Sequence, residues 1–151
     1  MNEKELKQQK LFSELGERDL QEIAKRIVAE NFPKGTVILK EGEATKGIYL
    51  IRKGKVEISK ITPDGWRQTL AMLTENHFFG ELSVIEDRST HSVDVIASED
   101  SEFFLIRKDE LRLLEEKEPA MMFKIMRVIA RVASRNVRSM NEKLMKALIS
   151  Y

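Results

Sequence analysis

The residues best suited to hold a ligand fall in two short clusters, Phe79-Gly80-Glu81-Leu82-Ser83 and Ser89-Thr90-His91-Ser92-Val93. A glycine such as Gly80 lets backbone approach a bound molecule closely. If Glu81 to Ile85 opens a turn of helix, its first N–H groups are free to hold an anion. The Glu81 carboxylate at that edge either accepts hydrogen bonds from sugar hydroxyls or folds back onto backbone N–H groups as a structural acid. His91 offers one or two N–H donors and, with an ordinary pKa of about 6.5, is only partly charged near neutrality. It either meets a ligand or is a satisfied or solvated histidine in a relic pocket. These are binding groups and not a reaction centre. The sequence has no nucleophile–base pair and no phosphate-loop signature, so no catalytic residue is assigned and the chain is not read as an enzyme. His77 and His91 alone do not make a metal site.

The elements that must position these residues change character along the chain. Between Glu17 and Val28, Leu20, Ile23, Ala24, Ile27 and Val28 recur at helical spacing, and Pro33 and Gly35 end that pattern. From Thr36 to Ile106 the period becomes two, as in Val37/Leu39, Tyr49/Ile51 and Val56/Ile58. Glycines punctuate these runs at turn-sized intervals, which predicts an antiparallel roll or barrel. Gly54 reads as a hairpin glycine, and Pro63-Asp64-Gly65 as a second turn. Lys108 to Glu116 reads as a short helix, and Pro119 suits the first turn of a long one. Met126, Ile129, Ala133, Val137, Met140, Leu144, Leu148 and Tyr151 form one apolar stripe of that helix. Lys124, Arg127, Arg131, Arg135 and Arg138 form a basic stripe nearly opposite. Met122, Ile125 and Val132 widen the apolar sector of the first half, as packing on the roll requires. About thirty residues make a rod of ~45 Å, too long for such a roll to cover, and its narrow distal seam suits a partner helix. A homodimer along it is the expectation.

Composition bounds the remainder. At 151 residues, 42% hydrophobic and 34% charged, the chain fits one globular domain. The absence of cysteine excludes disulfides, thiolate metal sites and thiol nucleophiles. The charged start MNEKELKQQK lacks the apolar core of a secretory signal, and no run approaches a membrane span. A soluble cytoplasmic protein without membrane insertion is expected. The net charge of +1 hides an asymmetry: residues 120–151 carry seven Lys or Arg against Glu142, a net +6, leaving −5 for residues 1–119. The basic stripe reads first as the wet face of a helix and second as a surface for nucleic acid or an acidic membrane.

Taken together, the ordered motifs resemble the cyclic nucleotide-binding domain shared by the catabolite activator family, cyclic-nucleotide-dependent kinases and related channels. The resemblance covers nearly the whole chain. It runs through Leu11-Phe12-Ser13-Glu14-Leu15, Phe32-Pro33-Lys34-Gly35-Thr36-Val37-Ile38, Glu41-Gly42-Glu43, Tyr49 to Val56, Phe79 to Ser83 and Ala97 to Ser101. It implies an α+β fold: an antiparallel β-roll (a double-stranded β-helix, jelly-roll-like) flanked by an N-terminal helix and a long C-terminal helix. Residues 1–32 would be the N-terminal helical part, 33–107 the roll with a phosphate-binding cassette at about 79–95, and 108–151 the C-terminal, dimerising helices.

The resemblance also implies roles. Gly80, Glu81, Leu82 and Ser83 would start the cassette, with the Gly-Glu pair on phosphate and ribose. His91 stands where family members carry the arginine that neutralises the cyclic phosphate, and Ser92 matches the small hydroxyl after it. Asn136 occupies the long-helix position that offers a polar group to the base, or sets register at a seam. No cofactor is implied; the ligand would be cyclic AMP, cyclic GMP or another small phosphorylated molecule. The expected function is a stand-alone regulatory module that signals through its C-terminal helix to a protein partner not identified by the sequence. The alternative is a degenerate, ligand-free homodimeric adaptor. Because the chain stops at Tyr151, sequence-specific DNA binding by this polypeptide is not expected.

Overall fold

The computed structural model describes residues 3–150. Its frame is a pair of four-stranded antiparallel sheets. One has the order β1 (Ile27–Phe32), β8 (Ser101–Arg107), β3 (Gly47–Lys53), β6 (Phe78–Phe79). The other has the order β2 (Val37–Leu39), β7 (Asp94–Ala97), β4 (Val56–Ile61), β5 (Arg67–Leu73). A short helix, α3 (Glu81–Ile85), interrupts the roll between β6 and β7. Helices α1 (Glu3–Gln8) and α2 (Glu17–Ala24) precede the strands, with a 3-10 turn at Lys10–Phe12 between them. Helices α4 (Lys108–Lys117) and α5 (Pro119–Ile149) follow the strands. The roll and its flanking helices match the expected fold class.

The inner strands of the first sheet, β8 and β3, are buried on both faces along most of their length, and the period of two sorts their side chains into two cores. Ile48 and Leu50 of β3, Phe104 and Ile106 of β8 and Phe78 of β6 face the helices, where they meet Leu11, Phe12, Leu20, Ile23, Leu111, Leu114, Ile125 and Ile129. Their neighbours Tyr49, Ile51, Phe103, Leu105 and Phe79 point into the roll, against Ile38, Leu39, Val56, Val95 and Ala97. Tyr49 and Phe79 stack at 5.2 Å, and Phe103 meets both edge-on at 6.1 and 5.7 Å. Such contacts fix the rings beyond simple burial.

Two local expectations need correction. The helix expected to reach Val28 ends at Ala24, and Ile27–Phe32 is strand β1, paired with β8 from Ile27↔Ile106 to Phe32↔Ser101. A free edge of β8 outweighs a helical spacing that Ile27 and Val28, both β-branched, support only weakly. The N-terminal helical part therefore gives way to the roll before Phe32. Gly54 is not a hairpin glycine, because β3 and β4 lie in different sheets. It is a corner: φ is +108°, and an added Cβ would sit 2.1 Å from the Ser101 hydroxyl oxygen. The hairpin is β4–β5, closed at Pro63-Asp64-Gly65, where the Gly65 amide donates to the Thr62 carbonyl at 2.9 Å.

The long helix divides as its sequence suggests. Met121, Met122, Ile125, Val128 and Ile129 are buried, whereas residues 134–150 are exposed throughout. The distal seam stays open, with Val137 55%, Met140 67%, Leu144 58% and Leu148 62% exposed, and Tyr151 lies outside the described residues. The proximal basic stripe is not merely wet. Lys124 pairs with Asp19 at 3.3 Å, and Arg127 and Arg131 pair with Glu14 at 2.6 and 3.4 Å, tying α5 to the N-terminal helices.

Candidate functional site

The turn into α3 is set by backbone sterics. Gly80 has φ +87°, and a Cβ there would lie 2.7 Å from the Gly47 carbonyl oxygen. Both facts demand glycine. Glu81 then begins α3 with its side chain half-buried. Burial pushes its carboxyl up to about 7, against the pull of a hydrogen bond from its own amide. Ser83 is buried inside the same turn, while Leu82 is 54% exposed.

His91 is fixed by the loop that joins β2 to β3. Its amide donates to the Glu43 carbonyl at 2.9 Å, its carbonyl accepts from the Gly42 amide at 2.9 Å, and the Thr45 amide donates to the Ser89 carbonyl at 2.9 Å. Alternation from Val93, Val95 and Ala97, all packed in the inner core, puts His91 on the inward side of this chain. Only 4% of it is exposed, and its Nε2 has no protein partner. Burial lowers its pKa and Lys46 adds to that effect, while Glu43 opposes it. Burial and Lys46 both favour the neutral imidazole.

Gly80 and Ser83 thus meet the 45–47 segment, whose Thr45 amide also holds Ser89, two residues before His91. Gly47 backs Gly80, and Thr45 lines a cleft together with Ser83. Ser92 is half-buried beside His91. Asn136 is not part of this cluster: it stands on the exposed half of α5. Among the described residues no group of three potential metal ligands occurs, and no helix is long and apolar enough to cross a membrane.

Sequence reasoning passed over Asp94, three residues beyond His91. Although burial pushes this carboxyl up, the Glu41 amide at 2.7 Å and Arg67 Nη1 at 3.0 Å hold it below the usual carboxylate range. Arg67 Nη1 also donates to the buried Ser59 hydroxyl at 2.7 Å. The cluster pins the strand that follows His91 to the β2–β3 loop and to β5. Its only trace in the sequence is an acid standing alone in the run Val93-Asp94-Val95-Ile96.

The roll thus carries a left-handed glycine, a single helical turn and a buried histidine on the next segment. Comparison with known proteins identifies the family. The sequence pattern of the cyclic nucleotide-binding domain matches residues 29–118, and the chain belongs to that family. The anaerobic regulatory protein of Bacillus subtilis is 28% identical over 138 residues, covering 91% of this chain and 56% of that protein. A CRP-like cAMP-activated global transcriptional regulator of Mycobacterium tuberculosis is 30% identical over 109 residues, covering 72% and 48%. The chain thus spans about half the length of these relatives. The fold also superposes on the crystal structure of the Thermus thermophilus catabolite activator protein, with a TM-score of 0.77, 24% identity, and coverage of 91% of this chain and 62% of that one. Both of the sequence relatives are regulatory proteins.

Proposed function

We propose that this domain senses a cyclic nucleotide, with cyclic AMP or cyclic GMP seated in the roll between the α3 turn and the His91 segment. The observation that carries this reading is the His91 imidazole, buried with one ring nitrogen unpartnered. Leaving such a group unsatisfied is costly, and a phosphate oxygen would satisfy it. The Gly80–Ser83 turn would supply backbone donors to the same phosphate, and Glu81 would accept from a ribose hydroxyl. Ser92 adds a hydroxyl beside His91. Leu82 and Asn136, both exposed, would close over the base only when α5 or a partner copy moves in.

Signalling would run from α3 through α4 to α5. The supporting fact is packing: Leu111 and Leu114 of α4 share one core with the buried face of α5, and Val84 of α3 packs against that core. The exposed seam on distal α5 supports a homodimer, whose arrangement of the two helices is the output read by a protein partner. Since cyclic nucleotides are intracellular messengers, this function belongs in the cytoplasm.

Titration calorimetry with cyclic AMP and cyclic GMP at about pH 6 and about pH 8 tests the reading. A neutral imidazole must take up a proton to pair fully with a phosphate, so binding strengthens at the lower pH. His91→Arg supplies a permanent charged fork and tightens binding by roughly tenfold or more. Absence of heat in all four wild-type titrations at millimolar ligand would leave the ligand-free adaptor, for which the loss of the usual arginine already speaks.

A further inference from the structure

We propose that a second site, in the cleft outside the roll between α3 and α4, binds a phosphate-like oxyanion. The cleft is about 200 Å³. It is built around Thr45, which is 3% exposed and whose hydroxyl has no protein partner. A buried hydroxyl left without a partner is uncommon and points to a ligand or solvent atom that completes it. Ser83 and Ser89 bring two more hydroxyls to the same wall.

The donor groups then select the ligand. Lys108 and Arg112 stand four residues apart on α4, so both turn to the cleft, and among the described residues neither forms an ion pair. The Lys108 amide donates to the Lys46 carbonyl at 2.9 Å, which sets the start of α4 beside Thr45. Arg88 approaches from the cassette side, with its Nε held by Glu86. Asp87 and Glu115 also line the cleft, and with Arg88 held by Glu86 the cations left to meet a ligand are Lys108 and Arg112. The Arg112 guanidinium, the Lys108 ammonium and the hydroxyl donors match tetrahedral phosphate oxygens. No aromatic ring lines the space, so it is not shaped for a nucleobase. The bound group is inorganic phosphate or the phosphoryl end of a small metabolite. It would brace the segment after α3 against α4, immediately ahead of α5.

This inference does not rest on nucleotide binding, and its test contains no nucleotide. The full chain is melted in increasing sodium phosphate, with sodium chloride at matched ionic strength as control and a simple phosphate monoester in a parallel series. Phosphate at roughly tenfold its Kd should raise Tm by about 4 °C, and the rise should continue with the logarithm of phosphate concentration. A response to the monoester as well identifies a phosphorylated metabolite as the ligand class; a response to phosphate alone identifies the inorganic ion. Lys108→Gln with Arg112→Gln should abolish the shift. Thr45→Val should abolish it too while raising the melting temperature without phosphate, because it removes the orphaned hydroxyl. A phosphate response that matches chloride, or one retained in both variants, overturns the site.

Discussion

Replacing Glu81 with Gln tests the environment on which the ligand reading depends. In the folded chain the Glu81 carboxyl titrates at about 7, against an ordinary 4.5, chiefly because it is taken out of water. The unfolded chain restores the ordinary value. The folded form therefore binds the proton more tightly, and its contribution to stability is complete below pH 4.5 and lost as pH rises through about 7. At about 1.4 kcal/mol per pH unit the loss is roughly 3 kcal/mol. Glutamine imitates the protonated acid and cannot ionise. Urea unfolding of both proteins across the range should show near-equal stability in acid, a gap that opens above pH 4.5, and a plateau beyond about 7 where Glu81→Gln is more stable by about 3 kcal/mol. The same variant should bind cyclic nucleotide more weakly, since it exchanges an anionic acceptor for a neutral amide. Parallel stability curves for the two proteins from acid to alkali would refute the reasoning, because they would mean Glu81 is fully hydrated and carries no strain for a ligand to relieve.

Three further outcomes are expected. Gly80→Ala should destabilise the fold by about 2 kcal/mol or more in urea unfolding, since it forces a left-handed residue and a Cβ onto the Gly47 carbonyl. Asp94→Ala should cost about 2 kcal/mol at neutral pH by stripping partners from the Glu41 amide and Arg67. Because Asp94 titrates low in the folded chain, its contribution fades as pH falls below the ordinary carboxylate range, and the wild-type and variant curves should converge in strong acid. Met140→Glu combined with Leu144→Glu should leave the melting temperature of the roll unchanged while giving a monomeric mass by light scattering; a wild type that is already monomeric at high concentration would remove the dimer from the proposal.

How much of this was legible in the sequence follows from how local each feature is. The turn at Gly80 and the helix after it depend on neighbouring residues, and the sequence marks them directly. The long helix likewise shows its two stripes and its open distal seam. Gly54 misleads because a hairpin and a corner between sheets both require positive φ, and only the partners of β3 and β4, distant in sequence, tell them apart. Ile27 and Val28 mislead for the same reason: β8, which claims them, lies more than seventy residues away. The sequence marks His91 as unusual but does not reveal that its ring is buried with an idle nitrogen, since that depends on a loop folding over it. Helical spacing gives Asn136 a face, yet not whether anything lies opposite.

The bare half of α5 has a mechanical consequence. Sixteen residues, 134–149, extend past the packed body, which at ~1.5 Å each is an arm of ~24 Å. A tilt of only ~10° where the arm leaves the body, near Val132, would carry its tip ~4 Å. Rearrangements at the α3 turn too slight to disturb either core could thus be magnified, by leverage alone, into a change of pitch large enough for another molecule to notice.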